Sequence, residues 1–122
     1  MEEISIEQLE QIEGLNVEEG MQNCIDDLEI YTESLYGYVY EDNRLDKLVE
    51  LFNLSDWKNY CIEIHALKSA SYLVGAKELG DISKSLEFAC KEDNIEFVKN
   101  NHANAISMYE NLLNSLKNVI GE

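Results

Sequence analysis

The sequence predicts an all-α protein, and three observations carry that expectation. Apolar residues recur at three- and four-residue spacing along nearly the whole chain. Leucine and glutamate, both good helix formers, lead the composition. Proline is absent, so nothing removes a backbone donor or forces a ring clash inside a helix. At 122 residues and 45 % apolar content, the chain suits one domain over 1–122. That size buries a core without disulfides or metals.

A short helix is expected near residues 5–13, with Ile6, Leu9 and Ile12 on one side and Gly14 as its stop. A second short helix runs from Val17 to about Cys24. Asp27–Leu54 reads as a long helix with a bend near Asp42-Asn43; Leu28, Tyr31, Leu35, Tyr38, Leu45, Leu48 and Leu51 are its apolar positions. Ser55 or Asp56 caps the next helix, which extends to about Leu73, and Gly75 marks a tight turn. Its stripe is Trp57, Tyr60, Ile64, Leu67, Ser71 and Val74. A helix over 76–92 follows, with Leu79, Ile82, Leu86 and Ala89 inward. Asp93-Asn94 then starts a last helix from Ile95 to Val119, with Val98, His102, Ala105, Tyr109, Leu112 and Leu116 inward. Connections of a few residues make sequential helices antiparallel. The expected architecture is an up-down antiparallel four-helix bundle over about 27–120, its end capped by the two short N-terminal helices.

The net charge is −16, and residues 1–57 carry −14 of it (16 acidic, 2 basic). Residues 58–99 hold six of the nine basic residues and sum to −1. So acidic a chain repels nucleic acid and anionic membranes. Its less acidic segment is where an anionic group is expected to bind. Cys24, Cys61 and Cys90 are scattered singly, with no CxxC pair, and read as small core residues of a reducing cytoplasm. Met1-Glu2-Glu3 opens no signal peptide. Seven tyrosines read mostly as core and boundary residues, with Tyr36–Tyr40 as a candidate partner surface.

The chemistry lies in Ile64-His65-Ala66-Leu67-Lys68-Ser69. On a helix, residues three and four apart are neighbours, so His65, Lys68 and Ser69 form one polar cluster at the edge of the apolar stripe. A neutral imidazole offers a lone pair as nucleophile near pH 7, because the ordinary histidine pKa is about 6.5. Lys68 supplies a fixed cation for an arriving phosphoryl group, and Ser69 a hydroxyl to hydrogen-bond it. His102, on the apolar stripe of the last helix, reads as a hydrogen-bonded structural residue. There is no Walker A loop or kinase-type glycine loop. Spacing alone leaves this cluster either a phosphoryl-accepting site or an ordinary surface pair of histidine and lysine; no ATP site and no metal site is expected.

The run His65-Ala66-Leu67-Lys68-Ser69, then Gly75-Ala76, Leu79 and Leu86-Glu87, resembles the signature of histidine-containing phosphotransfer (HPt) domains. Asp56-Trp57, Ile12-Glu13-Gly14-Leu15, Glu18-Glu19-Gly20, His102 and Tyr109 resemble flanking positions of that family, so the similarity covers almost the whole chain. The resemblance implies a cytoplasmic, monomeric phosphorelay intermediate. It would accept a phosphoryl group on His65 from the aspartate of a response-regulator receiver domain and pass it to another. A hybrid sensor histidine kinase would stand upstream, and magnesium would come with the receiver. By position, His65 is the phosphoryl acceptor, Lys68 its stabilising lysine, and Ser69 stands where many members have glycine. Tyr72, Glu87 and Lys91 would line the partner-binding patch, with the long helix around Tyr38 closing its other side. Two alternatives differ in class: an HPt-like module that binds receivers or kinases without carrying phosphate, and a structural helical domain of a larger sensor. The opening Met1 favours a stand-alone chain.

Overall fold

The computed structural model describes residues 4–41 and 43–121. Met1-Glu2-Glu3 and Asp42, half of the expected bend, lie outside the described residues. The described chain is helical between its turns: α1 (Ile6–Glu10), α2 (Val17–Asn23), α3 (Leu28–Tyr36), a π-helical segment (Gly37–Glu41), α4 (Arg44–Asn53), α5 (Trp57–Val74), α6 (Lys77–Lys91) and α7 (Ile95–Ile120). No strand occurs among the described residues, and no helix of theirs is long and apolar enough to cross a membrane.

Side-chain caps start most of the helices. Ser5, Asn16, Asp27, Asp56 and Asn94 each accept a backbone N–H from the first turn that follows, satisfying donors that have no partner within the helix. The apolar stripes then face one core. On α5, Tyr60, Ile64, Leu67, Ser71 and Val74 are buried; on α7, Val98, His102, Ala105, Tyr109, Leu112 and Leu116 are buried. α5 packs most extensively on α6, α6 also packs on α7, α4 on α5, and α4 in turn meets α7.

α2 and α3 grip the C-terminal end of α5, where carbonyls lack partners within the helix, while α1 packs on α2 and α7. Tyr31 Oη donates to the Val74 carbonyl at 2.9 Å, and Asn23 Nδ2 donates to those of Tyr72 and Leu73. The Asn16 N–H donates to the Gly75 carbonyl at 2.8 Å. Gly75 sits at φ +94°, and a Cβ there would lie 2.1 Å from the Asn16 carbonyl oxygen, so both the turn and the close approach demand glycine.

The long helix expected over Asp27–Leu54 is divided. After α3 the backbone widens into the π-helical segment, and Asn43 adopts the left-handed conformation (φ 47°) before α4 begins. Asparagine is among the few residues that tolerate that region. Tyrosine anchoring accompanies the break. Tyr38 is buried with its hydroxyl 2.8 Å from Ser71 Oγ, and Tyr36 Oη donates to the Ile120 carbonyl at 2.7 Å. Tyr38 is thus a core residue, as its place on the apolar stripe predicted, and among the Tyr36–Tyr40 group it is closed to a partner. Of the Tyr36–Tyr40 group, Tyr40 alone is exposed, its ring 5.7 Å from that of Tyr36. The first helix also ends earlier than expected, at Glu10, and Gly14 lies in the turn beyond it at φ +85°.

Candidate functional site

α5 and α6 run against each other with His65 opposite Glu87. Leu67 and Ile64 pin one face of α5 in the core, and this turns His65 to the seam at the surface. Leu86 and Ala89 do the same for α6, which leaves Glu87 beneath the imidazole. His65 Nδ1 lies 2.6 Å from Glu87 Oε2, Lys68 Nζ donates to Glu87 Oε1 at 2.6 Å, and Lys91 Nζ lies 3.0 Å from Oε2. The carboxylate side chain is 6 % exposed, the imidazole 57 %.

One buried carboxylate therefore holds three cationic or hydrogen-bonding groups in place. Burial pushes the Glu87 pKa up. The hydrogen bonds from Lys68, Lys91 and His65 outweigh that and hold it at about 2. Glu87 is ionised at neutral pH and can only accept, so Nδ1 of His65 must be the donor. In a neutral ring the lone pair then resides on Nε2. That atom makes no hydrogen bond among the described residues, and the ring is open to solvent. The arrangement presents a nucleophilic nitrogen, a carboxylate that offsets positive charge on the ring, and a half-buried ammonium one turn away.

Of the two residues expected in the neighbourhood of His65, Glu87 touches the ring and Lys91 reaches it only through Glu87, which is spent on the three contacts rather than exposed. Ser69 is exposed and joins no hydrogen bond among the described residues. Tyr72 lies two turns along the same face of α5 and donates to Asp81 Oδ1 on α6 at 2.6 Å. The hydrogen bond to that carboxylate, with some burial, raises its phenol pKa to about 12.

His102 is built differently. It is buried in α7, its Nδ1 is 2.8 Å from Tyr60 Oη, and its ring stacks on Phe52 with centroids 3.8 Å apart. Burial lowers its pKa. Among the described residues no three His, Cys, Asp or Glu side chains gather as metal ligands. Sequence reasoning missed one further feature of the seam. Cys61 and Cys90 are not core residues; both are partly exposed, one turn from His65 and from Glu87 respectively. No spacing within one helix could reveal them, because their proximity depends on the register between α5 and α6.

No family model matches the chain, and no curated protein or solved structure matches it.

Proposed function

We propose that the chain is a phosphorelay intermediate of the HPt type, an antiparallel four-helix bundle of α4–α7 whose His65 accepts a phosphoryl group from a receiver-domain aspartate and passes it on. The observation that carries this reading is the carboxylate of Glu87 at Nδ1 of His65. It supports attack by Nε2 and no other ring atom. The Nε2 lone pair forms the N–P bond while the P–O bond to the aspartate breaks, and the electron pair leaves with the aspartyl carboxylate. The ring becomes cationic, with Nδ1–H still donated to Glu87, whose negative charge offsets that cation. Lys68, 23 % exposed, lies one turn along the helix and neutralises phosphoryl oxygens. Reversal of the same step delivers the group to a second receiver. Phosphoryl transfer needs further charge neutralisation and in-line positioning, which the receiver and its magnesium supply. A sensor histidine kinase is the source upstream.

A docking surface for the receiver surrounds His65. Ile62 (59 % exposed) on α5 and Phe88 (66 %) on α6 give the two helices that carry the site exposed apolar area on their outer sides. Ser69 is small enough to let a partner approach, and Tyr72 and Lys91 border the same patch. A transient interface of modest size with an apolar centre suits a carrier that must release its partner.

The test is incubation with a receiver domain phosphorylated by acetyl phosphate in magnesium buffer. An acid-labile, base-stable label mapping to His65 is the expected result. A stable complex with no label on the chain would instead favour the binding-only module, and neither binding nor label would remove both readings.

A further inference from the structure

Cys90 Sγ donates to the Trp57 carbonyl at 3.3 Å. In an α-helix that carbonyl is the acceptor for the N–H of the residue four positions on, Cys61. The Cys90 sulfur thus lies against the helical turn that bears Cys61, close enough for the Cys61 thiol to help raise the Cys90 pKa. Neither is fully buried. The register agrees: His65 meets Glu87 across the seam, so one turn before His65 is level with one turn after Glu87, where Cys90 and Lys91 stand. The Lys91 ammonium, paired with Glu87 at 3.0 Å, stands on the same turn of α6 as Cys90. Cys24, by contrast, is buried away from both, with Ser34 Oγ at 3.7 Å.

We infer that Cys61 and Cys90 are a redox modification site: a peroxide converts them to a disulfide that staples α5 to α6 and regulates phosphoryl acceptance at His65. The regulatory half rests on the phosphocarrier reading; the disulfide does not. Cys61 is the attacking sulfur. Burial, and the neighbouring Cys61 thiol after it, raise the Cys90 pKa to about 12, which leaves Cys90 as the resolving thiol. The Cys61 thiolate attacks one peroxide oxygen; the S–O bond forms, the O–O bond breaks and hydroxide departs. Cys90 then attacks the sulfenic sulfur; the S–S bond forms, the S–O bond breaks, and the departing hydroxyl takes the Cys90 proton as one water, while the proton that Cys61 gave up on ionising converts the first hydroxide to the second. Two thiols and one hydrogen peroxide give one disulfide and two waters, the sulfurs losing the two electrons that the peroxide gains. The Cys90–Trp57 hydrogen bond is lost, and the turn carrying Lys91 and Glu87 is drawn toward α5. That displaces the carboxylate which fixes the His65 tautomer.

The whole chain is treated with hydrogen peroxide, alkylated and digested with trypsin. A disulfide-linked pair of peptides, residues 59–68 and 85–91, is expected, and dithiothreitol should abolish it. In the same samples the His65 imidazole resonances should shift on oxidation, while Cys61→Ser and Cys90→Ser proteins stay unchanged. Phosphoryl acceptance from a loaded receiver should fall about tenfold or more in the oxidised wild type, return with dithiothreitol, and be insensitive to peroxide in both serine variants. Absence of the linked pair, or its formation with unmoved His65 resonances, overturns the inference. Full acceptance by the disulfide form overturns its regulatory half. If the reduced chain takes up no phosphoryl group, the phosphocarrier reading fails, whereas the linked peptides and the resonance shift still decide the disulfide.

Discussion

His65 and His102 are the chain's two histidines, and the fold treats the same side chain in opposite ways. His102 is closed in, with Tyr60 on Nδ1 and Phe52 against its face. Its environment disfavours charge, and its hydrogen-bond partner is a neutral hydroxyl. His65 has a buried, ionised carboxylate on Nδ1 and solvent at the rest of its ring. His102 is placed to hold helices together. His65, in the proposed reading, is placed to accept a group and to tolerate the positive charge that follows. What distinguishes them is the register of α5 on α6, which brings Glu87 to one histidine and not the other.

The largest expected effect breaks the comparison outright. His65→Gln should abolish phosphoryl acceptance and leave the helical circular dichroism intact, because the ring is mostly exposed and glutamine keeps a donor for Glu87. His102→Ala should do the reverse. Loss of a stacked, buried ring and an unpartnered Tyr60 hydroxyl should cost about 2–4 kcal/mol in chemical denaturation, with transfer retained. Transfer lost from the His102 variant at full stability would exchange the two roles.

Lys68→Ala sharpens the account of charge. One charge-assisted contact is worth roughly 1.5–3 kcal/mol, so transfer or phosphohistidine lifetime should drop about ten- to a hundredfold with the bundle folded. An effect within about twofold would make Lys68 an ordinary surface charge.

Much of this was legible in the sequence. The α5, α6 and α7 stripes follow directly from apolar spacing, and Asp56 and Asn94 cap where their side-chain chemistry predicts. The break between α3 and α4 was not legible as a break. Leu28, Tyr31, Leu35 and Tyr38 continue in phase toward Leu45 and Leu48, and the π-helical widening leaves no mark in that spacing. Nor does helical periodicity connect His65 with Glu87, which are 22 residues apart. Similarity to a family put Glu87 near the histidine. Its role beneath the ring follows from burial and from three partners converging on two oxygens. The placing of Cys90 against the turn that bears Cys61 is another consequence of the same register.

The smallest expected effects are in the pH dependence of stability, and they separate the two sites again. The His102 pKa is lowered on folding, so its contribution is present above the ordinary value of about 6.5 and is lost as pH falls below it. The Glu87 pKa is lowered from 4.5 to about 2, so its contribution is complete above 4.5 and is lost as pH falls toward 2. Urea denaturation across pH should show His102→Phe flattening the upper window and Glu87→Gln the lower. If one variant flattens both, the two sites are not independent. Glu87→Gln should also slow transfer about tenfold, since an amide cannot offset a cationic ring.

In the proposed mechanism Glu87 fixes the proton on Nδ1 of His65 and frees Nε2 as the nucleophile. Phosphorylating the ¹⁵N-labelled chain through a loaded receiver, and reading the imidazole nitrogens by ¹⁵N and ³¹P NMR at neutral pH, tests this most directly. The account predicts one phosphorus coupled to Nε2 of His65, with Nδ1 protonated. Phosphorus on Nδ1 of His65, or on His102, would contradict it.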